Sequence, residues 1–532
     1  MVTPLPLRVL PMGESGVLIE VESLAAAIAL HARLDGSRPA GVVDLVPAAR
    51  TVLVRVDPAR LPLAAVRSWV ARTTMDAAPT APARSSVVEL DVAYDGADLA
   101  ETAELLGVSA DALVRAHTAA EWTVAFTGFA PGFGYLVSPE WTFDVPRLPS
   151  PRTRVPRGSV GLAAGFTGAY PRDTPGGWRL IGTTTAPLFD PDAASPVLLA
   201  PGTRVRFRAS RAAAPAAETA TAPRDRVETP PARGAEAAAS RSPEPSIRIG
   251  EPGLLATLQD LGRAGYASLG VAGSGALDRG SLRTANRLVG NPEGAAAIEV
   301  TMGGFRAVAL RDLWFAVTGA WGPIRLDGHE LDPYEAYAWP AGAHLHLDWF
   351  RSGARAYLAV RGGVEAAPVL GSRSRDVLAG IGPPPLRAGD ELPIGSDPVD
   401  PIPVATVAPW GAPHDDEIEV ELAPGPRADW FAASALSALY EAVWTVTNDT
   451  DRVGMRLNGP ALPRVRDDEL PSEGMVPGAL QVPPSGRPTI LLADGPVTGG
   501  YPVLAVATDA ALDLLAQARP GTRVRFRHAR PA

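Results

Sequence analysis

The segment Phe126–Leu136, FTGFAPGFGYL, sets three glycines and a proline among four aromatics. That mixture gives an exposed backbone turn lined by flat apolar faces. Through Phe129, Pro131, Gly132 and Phe133 it could hold a small planar ligand, or it could serve only as a turn, since glycine is the default where φ is positive. His117 ends the preceding helical stretch, where it could act as a general base or complement the helix dipole. Further along, QDLGR, ALDR, ANRLVGN and AIEV spread Asp260, Asp278, Asn286, Asn291 and Glu299 over short loops and one helix start. These side chains make either a mutual hydrogen-bond network or a polar pocket. Near the C-terminus, DRVGMRL places Arg452 and Arg456 where they could project together. TGGYP adds the Thr498 hydroxyl, the free N–H groups of Gly499 and Gly500 and the Tyr501 phenol. Two guanidiniums beside a glycine turn suit a carboxylate or phosphate, and arginines tied to acids in a salt-bridge network fit the same spacing. His344 and His346 share one face of a strand, but no third ligand lies nearby, so they read as a solvated face rather than a metal site.

Composition removes whole chemistries. The 532 residues contain no cysteine and no lysine, and all 49 basic residues are arginine. Thiol nucleophiles, disulfides and cysteine zinc sites are excluded, as are lysine Schiff bases, a phosphate-loop lysine and a biotin-carrying side chain. A formal charge of -9 with scattered arginines argues against nucleic acid as a partner. No apolar stretch approaches the ~18 residues of a membrane helix. The opening MVTPLPLRVLPMGESG lacks the charged and apolar regions of a secretory signal, which predicts a soluble, cytoplasmic protein.

The elements that must position these residues are short. Val17–Val21 and Thr51–Val56 read as strands, and Ser23–Leu34 and Leu63–Arg72 as helices, giving a small N-terminal α/β lobe. Beyond Ser85 come short strands punctuated by Gly and Pro, with one helical patch at Ser109–His117, the pattern of a barrel or sandwich. Two tethers are expected, DAAPTAPARSS at Asp76–Ser86 and the Ala-, Pro- and Glu-rich run from Ala212 to Pro245, too poor in large apolar residues to offset the entropy of ordering. An internal repeat joins the two halves: PGTRVRFR occurs at Pro201–Arg208 and again at Pro520–Arg527, preceded in the same order by VPRGSV against VPGAL and GGW against GGY. In each copy the turn feeds a closing strand with Val and Phe on one face and arginines on the other. The fold class is therefore α+β, mainly β, with one ancestral barrel used at least twice.

At these residues the sequence resembles two known families. His117, GFAPGFGYL, RTRVPRGSV (152–160) and YPRDTPGGWRLIG (170–182) resemble the B component of ATP-dependent 5-oxoprolinase, also called the Kip inhibitor or allophanate hydrolase subunit 1 family. TLQDLGRAGY, GALDRGSLRTANRLVGNPEGAAAIE, YLAVRGGV, DRVGMRL, GALQVPPSGRP and TGGYPVLAVAT resemble the C component of the same enzyme, the allophanate hydrolase subunit 2 family. The resemblance covers nearly everything outside the long tether. It implies a cyclophilin-like β-barrel behind the α/β lobe in the first module and two related barrels in the second. The expected units are 1–78, 85–209, a disordered linker at 210–245, 246–405 and 406–532.

It further implies an amide hydrolase component that works with a separate large ATP-binding subunit, converting 5-oxo-L-proline, ATP and water to glutamate, ADP and phosphate. ATP with its Mg is then expected on that partner. No cofactor or metal is assigned to this chain, and self-association is left open. One polar site would be lined by Asp260, Asp278, Asn286, Arg452, Arg456, Thr498 and Tyr501, and another by His117, Phe129, Phe133, Arg154 and Trp178. Two further functions stay open on the same resemblance: the carboxyltransferase part of a biotin-dependent urea or amide carboxylase, and a Kip-type module inhibiting a histidine kinase. Three stretches depart from the family pattern: GSRSR, with Arg375 where a threonine is expected, GIGPPPLRAGD after it, and DGPV before TGGYP.

Overall fold

Gly16–Glu20 and Thr51–Val56 are apolar at consecutive positions because their sheet is covered on both faces. The computed structural model describes residues 7–75, 87–211, 244–395, 400–404, 411–414 and 416–530. In it the N-terminal lobe is a four-stranded antiparallel sheet, in the order Arg8–Pro11, Gly16–Glu20, Thr51–Val56, Val42–Pro47. The helices Leu24–Gly36 and Leu63–Met75 cover one face. Ser23 caps the first of them, its side chain accepting from the Ala26 N–H. Val17, Ile19, Val52 and Val54 face the helices. The alternate residues Leu18, Val46 and Leu53 pack instead against Met475, Val476, Leu491, Val503 and Val506 of the C-terminal unit. Each such side chain, fully buried, is worth ~1.5–3 kcal/mol, so this contact is a permanent part of the fold. The tether expected at 76–86 lies outside the described residues, as does the one expected at 212–245 except for its last two residues, where Pro245 already begins a strand.

The repeat found in the sequence is a repeat of topology. The first barrel has the strand order Arg179–Thr183, Ser159–Ala163, Phe166–Ala169, Gly134–Val137, Trp122–Thr127, Arg204–Ala209, Val87–Val92, and an Ala93–Thr183 bridge nearly closes it. The last unit is a closed barrel in the matching order Val503–Ala507, Ala479–Gln481, Thr489–Leu491, Gly454–Asn458, Trp444–Thr450, Arg523–His528, Glu417–Pro424. Both PGTRVRFR strands pair in parallel with the opening strand of their barrel and antiparallel with the strand bearing a tryptophan. Val205, Phe207, Val524 and Phe526 are buried, while the arginines point out to glutamates of the parallel neighbour, Arg208 to Glu89 and Arg527 to Glu419. Even the fastening of the preceding helix recurs: Trp122 Nε1 donates to His117 O at 3.0 Å and Trp444 Nε1 to Leu439 O at 3.1 Å. The helix Ala110–Ala119 stands at the expected patch, and a second, Leu99–Leu105, which the Gly- and Pro-based reading passed over, precedes it.

Between the barrels, residues 245–395 enclose one core with two sheets. Strands run from one sheet into the other through corners at Gly253 and at Gly303–Gly304, all with positive φ. A side chain on Gly253 would overlap the Gly303 carbonyl, so only glycine allows that corner. The matching strand order belongs to the first and last barrels, and this middle unit has its own.

Candidate active site at the junction of the two modules

The second module is organised around a buried guanidinium. Asp451 accepts from the N–H groups of Val453 and Gly454, and this tight turn aims Arg452 inward. Arg452 donates through Nε to Asp494 Oδ2 at 2.9 Å, through Nη1 to Glu299 Oε1 at 2.5 Å and through Nη2 to the Gly275 carbonyl at 2.6 Å. Glu299 lies directly opposite Tyr357 on the neighbouring strand and accepts from its hydroxyl at 2.7 Å. Burial works against the Arg452 charge, but Asp494 and Glu299 outweigh it and hold it charged. For Glu299 burial would raise the pKa, yet Arg452 and Arg355 keep it below the usual carboxylate range. This cluster ties the middle unit to the last barrel. Asp278 extends it as the N-cap of the helix Arg279–Leu288, accepting from Ser281 and from Gln517 Nε2 at 2.7 Å, with burial raising its pKa.

A second knot shapes the loop that departs from the family pattern. Asp260 accepts from Ser372 Oγ at 2.7 Å, Ser374 Oγ at 2.5 Å and the Arg373 N–H at 2.6 Å, and so clamps residues 372–374 to the strand Leu255–Gln259. The clamp delivers Arg375 and Asp376 to the junction. Asp494 accepts from Ser274 Oγ at 2.6 Å and from the Val377 N–H at 2.9 Å, fastening the same loop to the last barrel. Four buried atoms with no hydrogen-bond partner gather here: Gln259 Oε1, Arg263 Nη1, Arg375 Nε and Asp376 Oδ2. Buried polar groups are nearly always paired, so these atoms are open to a ligand or to water. Burial, with Asp494 beside it, pushes Asp376 up to about 6, against the pull of the Ala379 N–H and Arg263. A carboxyl raised toward neutrality beside arginines can both accept and donate a proton.

The first module closes the junction. Phe129, at φ 65°, donates its N–H to Thr498 Oγ1 at 3.1 Å. The Gly132 N–H reaches Leu269 O at 3.0 Å, the Thr127 hydroxyl bonds Ser268 O, and Arg172 Nη1 donates to Leu378 O at 2.5 Å. Behind Phe129 its ring meets Phe133 and Tyr170, and Phe133 meets Trp178. On the other side of the 491–497 loop, a cleft of about 250 Å³ is lined by Arg279, Arg283, Leu492, Ala493, Asp509 and Asp513.

The structure thus brings Phe129 to Thr498, and Pro131 and Gly132 to Leu269 and Gly270, merging parts of what the sequence divided into two sites. Gly499 is half-buried, while Gly500 and Tyr501 are exposed beside them. Glu299, Arg452 and Asp278 join one network. Asn286 and Asn291 hold backbone instead: Asn286 Nδ2 donates to Glu293 O and Ala295 O, and Asn291 bonds Asn286, Val360 O and the Gly362 N–H. Two readings need correction. Arg456 does not project with Arg452: it occupies the outward position of the strand Gly454–Asn458, between buried Met455 and Leu457, 3.8 Å from Asp449. His117 neither caps a helix as a cation nor reaches a substrate, because it is fully buried between Trp122, Trp141 and Phe207, bonded to Tyr94 and Thr167. Burial lowers its pKa to about 3. Arg154, 77% exposed, pairs with Asp173 on the surface. Sequence reasoning missed Arg263, Ser274, Asp376 and Asp494. Asp494 opens one departure, DGPV, Asp376 follows the other, GSRSR, and Arg263 ends the QDLGR motif.

Comparison with known proteins places this architecture. Residues 7–199 match the family model described as carboxyltransferase domain, subdomain C and D, and residues 269–528 the one described as carboxyltransferase domain, subdomain A and B, so the chain belongs to the carboxyltransferase-domain family. Within it, the C-type subunit of 5-oxoprolinase from Escherichia coli K12 is 38% identical over 285 residues, 53% of this chain and 90% of that protein. The B-type subunit of 5-oxoprolinase from Escherichia coli O157:H7 is 48% identical over 126 residues, 23% of this chain and 58% of that protein. The crystal structure of TTHA0988 superposes with a TM-score of 0.82 at 37% identity, covering 96% of this chain and 99% of the other. The fused arrangement of a B-like and a C-like module is thus shared with a solved protein.

Proposed function

We propose that the chain is the fused B and C component of an ATP-dependent 5-oxoprolinase, opening 5-oxo-L-proline to L-glutamate together with a separate large ATP-binding subunit in the cytoplasm. One observation carries this reading: a single polypeptide holds in order modules akin to the separately named B-type and C-type proteins, with Asp376 beside Arg263 and Arg375 at their junction. A lactam is a poor electrophile. Phosphorylation of its oxygen by ATP on the partner activates the ring carbon; water then adds, the C–N bond breaks as the nitrogen takes a proton, and a second water cleaves the resulting acyl phosphate to the carboxylate and phosphate. Asp376 is assigned the proton transfers, and Arg263 and Arg375 the developing negative charge, in a site shielded from bulk water. Arg452, Glu299, Asp494 and Asp260 position them, and Phe129 with Thr498 forms the wall from the first module. The chain with no lysine brings no phosphate-loop lysine of its own. The test is co-purification with the large subunit and assay of ATP hydrolysis: stimulation by 5-oxo-L-proline supports the reading, and none sinks it.

The second reading is carboxyl transfer to urea or a similar amide, favoured by the family's carboxyltransferase description. Biotin would then ride on another protein. Urea-dependent decarboxylation of carboxybiotin, without lactam-stimulated ATP hydrolysis, would select it.

A further inference from the structure

Arg172 of the first module and Arg375 of the second stand together at the junction. A methyl group placed on Gly380 would lie 3.7 Å from Arg172 Nη1 and 3.8 Å from Arg375 Nη2, so both guanidinium tips face one point. Neither is matched there by an acid of its own. Arg172 is spent on the Leu378 carbonyl, and Arg375 Nη1 on the carbonyls of Gly380 and Gly382 at 3.0 Å, while Arg375 Nε has no partner. The surrounding charges do not cancel them. Glu299 and Asp494 are satisfied by Arg452, Asp376 faces Arg263 as well as Arg375, and Asp173, which Arg172 also attracts, is bonded to Arg154 and the Arg157 N–H. Burial lowers the Arg375 pKa and Arg172 adds to that, against the pull of Asp376 and Asp494. Two like charges held side by side at a half-buried seam lack the anion that would make the arrangement favourable.

We propose that Arg172 and Arg375 form a carboxylate-binding pair spanning the two modules, which selects a substrate bearing a carboxylate next to its amide. The inference rests on the lactam reading above and deepens it. 5-oxo-L-proline carries such a carboxylate, 2-pyrrolidinone is the same ring without it, and urea has none. Fusion of the modules then fixes the pair, because each contributes one arginine.

The experiment measures binding of 5-oxo-L-proline, 2-pyrrolidinone and inorganic phosphate to the full chain, alone and with the large subunit, by titration calorimetry. It uses the wild type, Arg172→Gln and Arg375→Lys; both variants keep a donor for the carbonyls now held. The wild type is expected to prefer 5-oxo-L-proline over 2-pyrrolidinone by at least ~10-fold, and each variant to lose most of that preference, Arg172→Gln with its affinity for 2-pyrrolidinone unchanged. Equal affinity for both lactams, or a preference untouched by both substitutions, overturns the pair even where lactam-stimulated ATP hydrolysis persists. Phosphate binding that depends on both arginines, without any preference between the lactams, assigns the pair to a phosphoryl group and overturns the carboxylate. If the wild type binds neither lactam in either form, both the pair and the lactam reading fail.

Discussion

Replacing Arg452 by alanine removes the only cation bonded to both Glu299 and Asp494 among the described residues, and leaves two buried carboxylates without their ion-pair partner. Breaking a buried ion pair from one side costs ~3–5 kcal/mol, because the stranded charge must stay desolvated or take up a proton. For a unit of ~150–250 residues each kcal/mol moves the melting midpoint by ~2–4 °C, so the C-terminal transition should fall by ~6–20 °C. Arg456→Ala is the control, since its exposed contact with Asp449 is worth ~0–0.5 kcal/mol. Calorimetry of the intact chain, with far-ultraviolet circular dichroism at 20 °C to check folding, reads both. Adding Glu299→Gln and Asp494→Asn to Arg452→Ala should restore part of the loss. Without the guanidinium Glu299 is harder to ionise, so the deficit should shrink as pH falls and it binds a proton. A midpoint for Arg452→Ala equal to that of Arg456→Ala would refute the reasoning.

Asp376→Asn should remove the acidic limb near pH 6 from the rate profile, read as kcat/KM against pH. The raised pKa of Asp376 means that its contribution to stability is full below the unfolded value of 3.8 and is lost as pH rises through about 6, so the asparagine variant should show a flatter midpoint over that window. His117→Phe should lower stability by ~1–3 kcal/mol through the stranded Tyr94 and Thr167 hydroxyls, with turnover kept at 20 °C. With its pKa lowered to about 3, neutral His117 contributes stability above pH 6.5 that is lost as pH falls from there toward 3, and the phenylalanine variant should lack that acid loss. Gly128→Ala would press a methyl group into Thr498, so limited proteolysis should detect a loosened junction that Thr498→Gly in the same chain relieves.

Much of the fold was legible because its signals are local. Ser23 and Ser109 announce their helices, and the alternation in RVRF names the buried Val and Phe of both closing strands. The repeat marks two barrels of one topology. The N-terminal sheet was readable as strands, but not the covering of its second face, which depends on residues more than four hundred positions away. The site was legible as a set of residue types rather than as a constellation. Arg452 and Glu299 could be named, but a turn made by Asp451 decides that Arg452 points in while strand alternation sends Arg456 out. Asp494 and Asp376 acquire meaning only when the 371–382 loop meets the 491–497 loop, a contact that no spacing encodes. His117 was misread because helix periodicity places it near a helix end without telling that three aromatic rings enclose it.

The most direct measurement is the product balance of the reconstituted chain and large subunit supplied with radiolabelled 5-oxo-L-proline and ATP. One glutamate formed for each ADP released is the expected result. ATP turnover without labelled glutamate, or carbon dioxide release from carboxybiotin on adding urea instead, would contradict it.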